Sequence, residues 1–587
     1  MNKTAVALVS FLLLLAVLFA VSEQVSAQSL GVIRIKADGT VTGTDKIRQN
    51  GLVYTLTDDL YASISQNEAF IFIEKSDVVF NGDGHVIQGV GWGSAIYMLR
   101  SQNVTVENFV IRGFSRGVDF GVVSNWPSDS NYVGLPSALN NRIHNNTIEV
   151  NGNVNNNSGN QTLRDSGWCV YLNDAIQTVI VNNNFICHNT LSGVYFGNLT
   201  MGTSLLDNNF AGGGVYSLRS NQTNARGNIV DGKPLVYLDS EADQIIKDAG
   251  LVYLFNCNNI FVKNVNPEYI YAVTIQLVDT VNCEITNSYG HVLLVNSSYN
   301  SIYNNNQLNS ITLEASSYNE VFANRITEFS ICIKLYGESN FNKIYSNLLL
   351  DTIYSKDAER TRKEGLNTAA IQLGDIQLGG AFNNEIRDNR IVNHDCGFEF
   401  FLSSNNTLTA NVIENCNAGI QLGRSHYNTL TENNITSSRC GISIYAESSH
   451  NTAYYNNFID NQFQCIEAHK QTTLSDGETY AIGNTWDNGQ TGNYWDTYTG
   501  KDANGDGIGD TPYNIFENMK DNYPLMTPFI TSNTNNPIPT YNPEARPTNN
   551  NTYPLNRENT ILIITAVIII IGVTIGLLTY FRRLIFR

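Results

Sequence analysis

From Asn282 to Asn461 the chain is written in short runs of alternating apolar and polar residues separated by Asn, Gly and Ser. Gly419-Ile420-Gln421-Leu422, Gly441-Ile442-Ser443-Ile444 and Asn428-Thr429-Leu430-Thr431 each change character at every residue. A period of two over three to five residues, closed by turn formers, predicts short strands joined by tight corners. The runs also recur. Gly397, Gly419 and Gly441 are 22 residues apart, as are Leu408 and Leu430, and Ile413 and Ile435, while Asn406 and Asn428 are followed by Asn451 one residue late. A fixed period of this size predicts a stack of coils, each one supersecondary unit. A leucine-rich repeat has a similar length, but needs several Leu and a second segment in each unit. These units are Leu-poor with two Asn positions each, which favours an all-β parallel β-helix.

The Asn positions follow from that geometry. Equivalent residues of successive coils lie about 4.8 Å apart, so an inward Asn can donate to the Asn of one neighbouring coil and accept from the other. One such column runs through Asn282, Asn300, Asn319, Asn342, Asn384, Asn406, Asn428 and Asn451. A second, five residues later, runs through Asn287, Asn305, Asn324, Asn347, Asn389, Asn411, Asn433 and Asn456. The repeated phrase is scaffold chemistry rather than a catalytic motif.

The pattern divides the chain. Residues 1–27 read as a signal peptide, with Lys3 before an apolar stretch and Val25-Ser26-Ala27 before the cut. Residues 28–102 form an N-terminal cap and first coils, 103–482 the repeats, and 483–530 a C-terminal cap in which Trp486 and Trp495 cover the last coil. Two stretches, 115–137 and 355–367, break the rhythm as loops on one face. Residues 531–559 are a linker rich in Asn, Pro and Thr. Residues 560–581 are a transmembrane helix: Ile561 to Phe581 carries no charge, and Arg582 and Arg583 open a cytoplasmic tail, 582–587. The expectation is a single-pass membrane protein with its N-terminal mass outside the cell.

Composition then narrows the partners. A net charge of −18 with 15% charged residues leaves no basic surface for nucleic acid. Nine Cys are spread without a CxxC pair. Cys396 and Cys440 stand two coils apart, about 9.6 Å, beyond the roughly 7 Å reach of a disulfide. Most of the cysteines are expected as small buried residues.

The sharpest local motif is Asp502-Ala503-Asn504-Gly505-Asp506-Gly507-Ile508-Gly509-Asp510. Oxygens from Asp502, Asn504, Asp506 and Asp510, with the Ile508 carbonyl, match the first part of a calcium loop. Tyr513 stands where the bidentate Glu belongs, so any calcium is a structural pin for the cap. A second candidate is an outward stripe, Gln377, Glu399, Gln421 and Ser443, as a shallow groove for a polar chain such as a glycan. No carboxylate pair for glycoside hydrolysis is identified beside Glu399. His394-Asp395-Cys396 and Cys187-His188 offer soft ligands, but copper handling needs clustered His, Cys or Met, and their scatter argues against it. Asn145, Asn198, Asn221, Asn296 and Asn550 head glycosylation sequons. Asn103 and Asn405 head two more that lie at or near ladder positions, where the amide is expected to be poorly accessible.

"DGKPLVYL" (Asp231 to Leu238), the Asn-rich coils, and "GNYWDTYTGKDANGDGIGDTPY" with "DNYPLM" resemble the NosD-like family of right-handed parallel β-helix proteins. The resemblance implies that fold over roughly Gly31 to Met526, kinship with carbohydrate-binding and sugar-hydrolase β-helices, an archaeal cell-surface setting, and copper delivery beside an ABC transporter. The chain departs from the family pattern by its anchor and its lack of a copper cluster. The expected role is therefore binding of surface polysaccharide or cell-surface proteins rather than catalysis. A polysaccharide hydrolase or lyase, and NosD-like copper delivery, are the alternatives.

Overall fold

The computed structural model describes residues 30–530, apart from 66–67, 99, 121–137, 152–166, 174, 189–192, 198–199, 217–223, 269–272, 328–330, 352–368, 376, 446, 468–482 and 517–518. The expected signal peptide, linker, transmembrane helix and tail, the charged stretch 355–367, and Asn198, Asn221 and Asn550 lie outside the described residues. So does most of the other loop, from residue 121 on. Among the described residues no helix is long and apolar enough to cross a membrane.

The described secondary structure is all strand, and nearly all of it pairs in parallel. The chain is a right-handed parallel β-helix. Each full coil contributes three strands, and equivalent strands stack in register. In consecutive 22-residue coils Leu408 pairs with Leu430, Ile413 with Ile435 and Ile420 with Ile442, all inward and buried. Alternation within each strand sends Thr, Glu and Gln outward. Antiparallel hairpins at 33–42 and 47–56 cover the first coils.

The glycine column has a steric cause. A Cβ on Gly419 would meet the Gly441 carbonyl oxygen at 2.6 Å and Ile435 Cγ2 at 2.6 Å; Gly397 stands in the same relation to Gly419 and Ile413. The corner brings the third strand so close to the second that the coil has no room for a methyl group.

The corners are stitched by side chains. Asn384 donates through Nδ2 to Asn406 Oδ1 (3.0 Å), Asn406 to Asn428 (3.2 Å), Asn428 to Asn451 (3.0 Å), and Asn451 to Asn484 (3.0 Å). The second column ends differently. Asn456 donates to Asn493, whose backbone N–H reaches the carboxylate of Asp521 at 2.7 Å, a group that accepts and needs no further acceptor of its own. The columns start later than the sequence pattern suggests. Asn282 and Asn287 are exposed residues with φ of 56° and 46° that bond Asn258 and Asn264, and the inward places belong to Cys283 and Ser288. A third column is made of hydroxyls: Ser403 N–H donates to Ser425 Oγ and Ser425 N–H to Ser448 Oγ.

Among the described residues two large hydrophobic cores follow one another, one built from residues 33–255 and one from 246–495. They meet at the strand Leu251–Phe255, all five of whose residues are buried. Leu251, Tyr253 and Phe255 belong to the first core, Val252 and Leu254 to the second. The strand Lys233–Asp239, within the "DGKPLVYL" phrase, pairs beside it and leads the chain across. Trp486 and Trp495 close the far end, with Trp495 stacked on Phe458 at 4.3 Å.

Candidate functional site

The outward face of the second block's long sheet carries one polar residue per coil. The register gives Thr312, Lys334, Gln372, Glu399, Gln421 and Ser443 as successive neighbours. Gln377 is not among them. The turn after Gly374 inserts extra residues, so 27 positions separate Gln372 from Glu399, and Gln377 is an exposed turn residue whose backbone N–H bonds Asp375 Oδ1 at 2.9 Å. Counting back by 22 lands on the insertion; pairing identifies Gln372.

The same turn supplies chemistry. Asp375 meets Lys334 Nζ at 2.8 Å, and the Lys334 ammonium lies 4.9 Å from the centre of the Tyr336 ring. Burial alone would raise the Asp375 pKa, but the Lys334 bond and the amides of Gln377 and Leu378 hold it below the usual value. Glu399 behaves oppositely. It is 6% exposed, and burial raises its pKa; Lys334 opposes the shift, while Asp395 and Asp375 add to it. Acidic neighbours do flank Glu399, from loops rather than from its own column. The row thus holds a buried carboxyl, Glu399, whose pKa burial raises, among amides and hydroxyls, with Asp375 ion-paired to Lys334 at its turn.

The calcium motif forms an exposed loop. Asp502 Oδ1 accepts from the N–H groups of Gly505 (2.7 Å) and Asp506 (3.2 Å), Asp506 Oδ1 from Ile508 (2.9 Å), and Asp510 Oδ2 from Ala503 (2.8 Å). Asn504 donates to Asp506. The backbone is thus wrapped around the acidic side chains as the motif requires, but no three His, Cys, Asp or Glu converge to metal-binding distance among the described residues.

Strand alternation separates Cys187 from His188, and His394 lies in the corner before the strand Cys396–Phe401 that carries Cys396. His394 is buried, 3.9 Å from Cys332 Sγ, with its pKa lowered to about 4 by burial, whereas Cys396 joins Ala369 and Ala418 in a small cluster outside the core. Cys187 is in the first core, but His188 is exposed beside Glu149 at 3.0 Å.

Among the glycosylation candidates, Asn145 and Asn296 are exposed corner residues with φ of 53° and 47°. Asn145 Nδ2 donates to Asn108 at 2.6 Å, and Asn296 donates to Asp279. Asn405 is exposed too, contrary to the expectation of an inaccessible position; the inward residue is its neighbour Asn406.

The fold and the row of outward polar groups place the chain among parallel β-helix proteins. Residues 367–500 match the family described as periplasmic copper-binding protein (NosD), so the NosD-like resemblance holds for the last coils and the start of the cap. No curated protein matches the chain. Among solved structures it is similar to the periplasmic alginate epimerase AlgG, at 10% identity over 72% of this chain and 76% of that one, TM-score 0.25. It is similar as well to PfbA, a surface adhesin of Streptococcus pneumoniae, at 12% identity over 70% and 87%, TM-score 0.23. A third is the Azotobacter vinelandii mannuronan C-5 epimerase AlgE6 A-module, at 10% identity over 74% and 87%, TM-score 0.18.

Proposed function

We propose that this protein is a cell-surface β-helix that binds an extended, uncharged polysaccharide along the row Gln372, Glu399, Gln421 and Ser443. The observation that carries this reading is the spacing of hydrogen-bonding groups at one per coil along one sheet face. The row's one ammonium, Lys334, is already bound to Asp375. A polyanionic glycan would find no unpaired cation in that row, whereas hydroxyls suit its amides. A signal peptide and a membrane span at 560–581 belong to the same proposal, as does calcium at Asp502, Asn504, Asp506 and Asp510 as a pin for the cap.

The test is retention of the ectodomain, residues 28–530, on neutral and acidic polysaccharides. Retention on neutral chains, weakened about tenfold by Gln421→Ala, is the expected result; retention only on uronate chains contradicts it. Calcium should raise the melting temperature of the ectodomain, and Asp506→Ala should abolish that increase.

A catalytic reading has one specific observation behind it, the buried Glu399 carboxyl in this row, whose pKa burial raises. Soluble fragments released by the wild type and absent with Glu399→Gln would establish cleavage. Binding without fragments leaves a binding protein.

A further inference from the structure

The corner column preceding the first Asn ladder carries residues in the left-handed region, where Asn and Gly are at ease and large side chains are strained. In sequence order it places Tyr299, Tyr318, Phe341, Asn383, Asn405, Tyr427 and His450, with φ between 56° and 61°. Their order in space follows from the backbone: Phe341 N–H donates to the Phe382 carbonyl, Asn383 to Ser404, Asn405 to His426, and Tyr427 to Ser449. Tyr299, Tyr318 and Phe341 stack face to face at 5.1 and 5.0 Å, and Tyr427 stacks on His450 at 5.0 Å. Between the two stacks only the short side chains of Asn383 and Asn405 intervene. Phe341 and Tyr427 are 46% and 58% exposed and flank this gap, which spans three coil steps, about 14 Å at ~4.8 Å each.

Asn405 heads the sequon Asn405-Asn406-Thr407. It differs from the other described sequon asparagines at corners in one respect. Asn103 Nδ2 donates to Asp77 at 2.7 Å, Asn145 Nδ2 to Asn108 at 2.6 Å, and Asn296 to Asp279. Asn405 Nδ2 has no hydrogen-bond partner among the described residues, and its side chain is exposed.

We propose that Asn405 is an N-glycosylation site whose first sugar occupies this gap and packs on the exposed face of Tyr427. The amide nitrogen displaces a lipid-linked phosphate from the anomeric carbon of an activated oligosaccharide: the C1–O bond breaks, the N–C1 bond forms, and the amide proton leaves to the transferring enzyme. The inference shares only the exported location with the glycan-binding reading, and it concerns a different face.

The experiment is peptide mapping by mass spectrometry of the full chain made in cells that N-glycosylate exported proteins. The expected result is a glycan on Asn405 at high occupancy, with Asn103, Asn145 and Asn296 modified several-fold less. Thr407→Val removes the mass increment and Thr407→Ser restores it, which separates a covalent glycan from a retained free sugar. Tyr427→Ala leaves occupancy unchanged but speeds enzymatic release of the glycan from the folded protein several-fold. An unmodified Asn405 overturns the site, whatever the state of the others. Release at the same rate from wild type and Tyr427→Ala overturns the packing.

Discussion

At the scale of single residues, two buried titratable groups push stability in opposite directions with pH. Burial of Asp521 raises its pKa from 3.8 to about 6, against the bonds from Asn493, Trp495 and Tyr523 that favour its ionised form. The folded state therefore holds this proton more tightly than the unfolded chain, and its contribution to stability falls as pH rises from about 4 to about 6. His394 is the reverse. Its pKa falls from 6.5 to about 4, so the fold favours neutral imidazole, and its contribution is present above pH 6.5 and lost on acidification toward 4. Each effect is on the order of 3 kcal/mol, so the two largely offset one another in the native chain. Asp521→Asn should leave the His394 slope uncovered, as stability that drops between pH 6.5 and 4 in denaturant titrations. A flat profile would show that His394 does not carry this term. Neither group was legible in the sequence as a pH-sensitive residue. Asp521 lies in the family-like "DNYPLM" phrase, and nothing there announces that it ends a ladder.

At the scale of the coil, the columns were largely readable. Asn recurring at a fixed period, five residues apart within each coil, specifies both corners of one short strand, and the hydrogen bonds follow. What escaped notice has physical reasons. The serine column shares the corner of the first Asn column, three residues ahead of it, with a smaller donor and acceptor, and Ser is so common in turns that its periodicity does not stand out. Gln372 was hidden because the pairing register, not the residue count, decides which side chains share a face; an insertion beside Gly374 breaks the count without breaking the sheet. The ladder makes a firm prediction. Asn428→Ala removes the acceptor used by both the backbone N–H and Nδ2 of Asn406 and strands buried donors in a closed corner. The cost should be about 2–4 kcal/mol. Hydrogen exchange should show it as lost protection in the flanking coils 400–460, while the first block is untouched. Uniform loss along the whole chain would show that the blocks unfold as one.

At the scale of the whole molecule, the joint between the cores was not visible beforehand. "DGKPLVYL" stood out as a family phrase, but an unbroken apolar run reads equally well as any buried strand, and only packing shows that Leu251–Phe255 serves two interiors. Opposite faces of that one strand should therefore separate the two blocks. Leu251→Ala opens a cavity in the first core and Leu254→Ala in the second, each at roughly 2–5 kcal/mol. Exchange protection should fall selectively in residues 33–230 for the former and 260–460 for the latter. Matching losses in both regions for either variant would mean that the cores are not independent.

The 22-residue register of the coils from Asn384 to Cys440 has a consequence for how such a chain can change over generations. Recombination between misaligned coding copies of neighbouring coils would add or delete one whole turn, and each edge would still meet a like edge. The Gly, Asn and Ser columns would each gain or lose one member with no donor stranded. The strand shared by the two interiors admits no such exchange, because its alternate residues answer to different neighbours. Length variation among relatives should therefore accumulate between Gly397 and Asn461, leaving the joint at 233–255 unaltered.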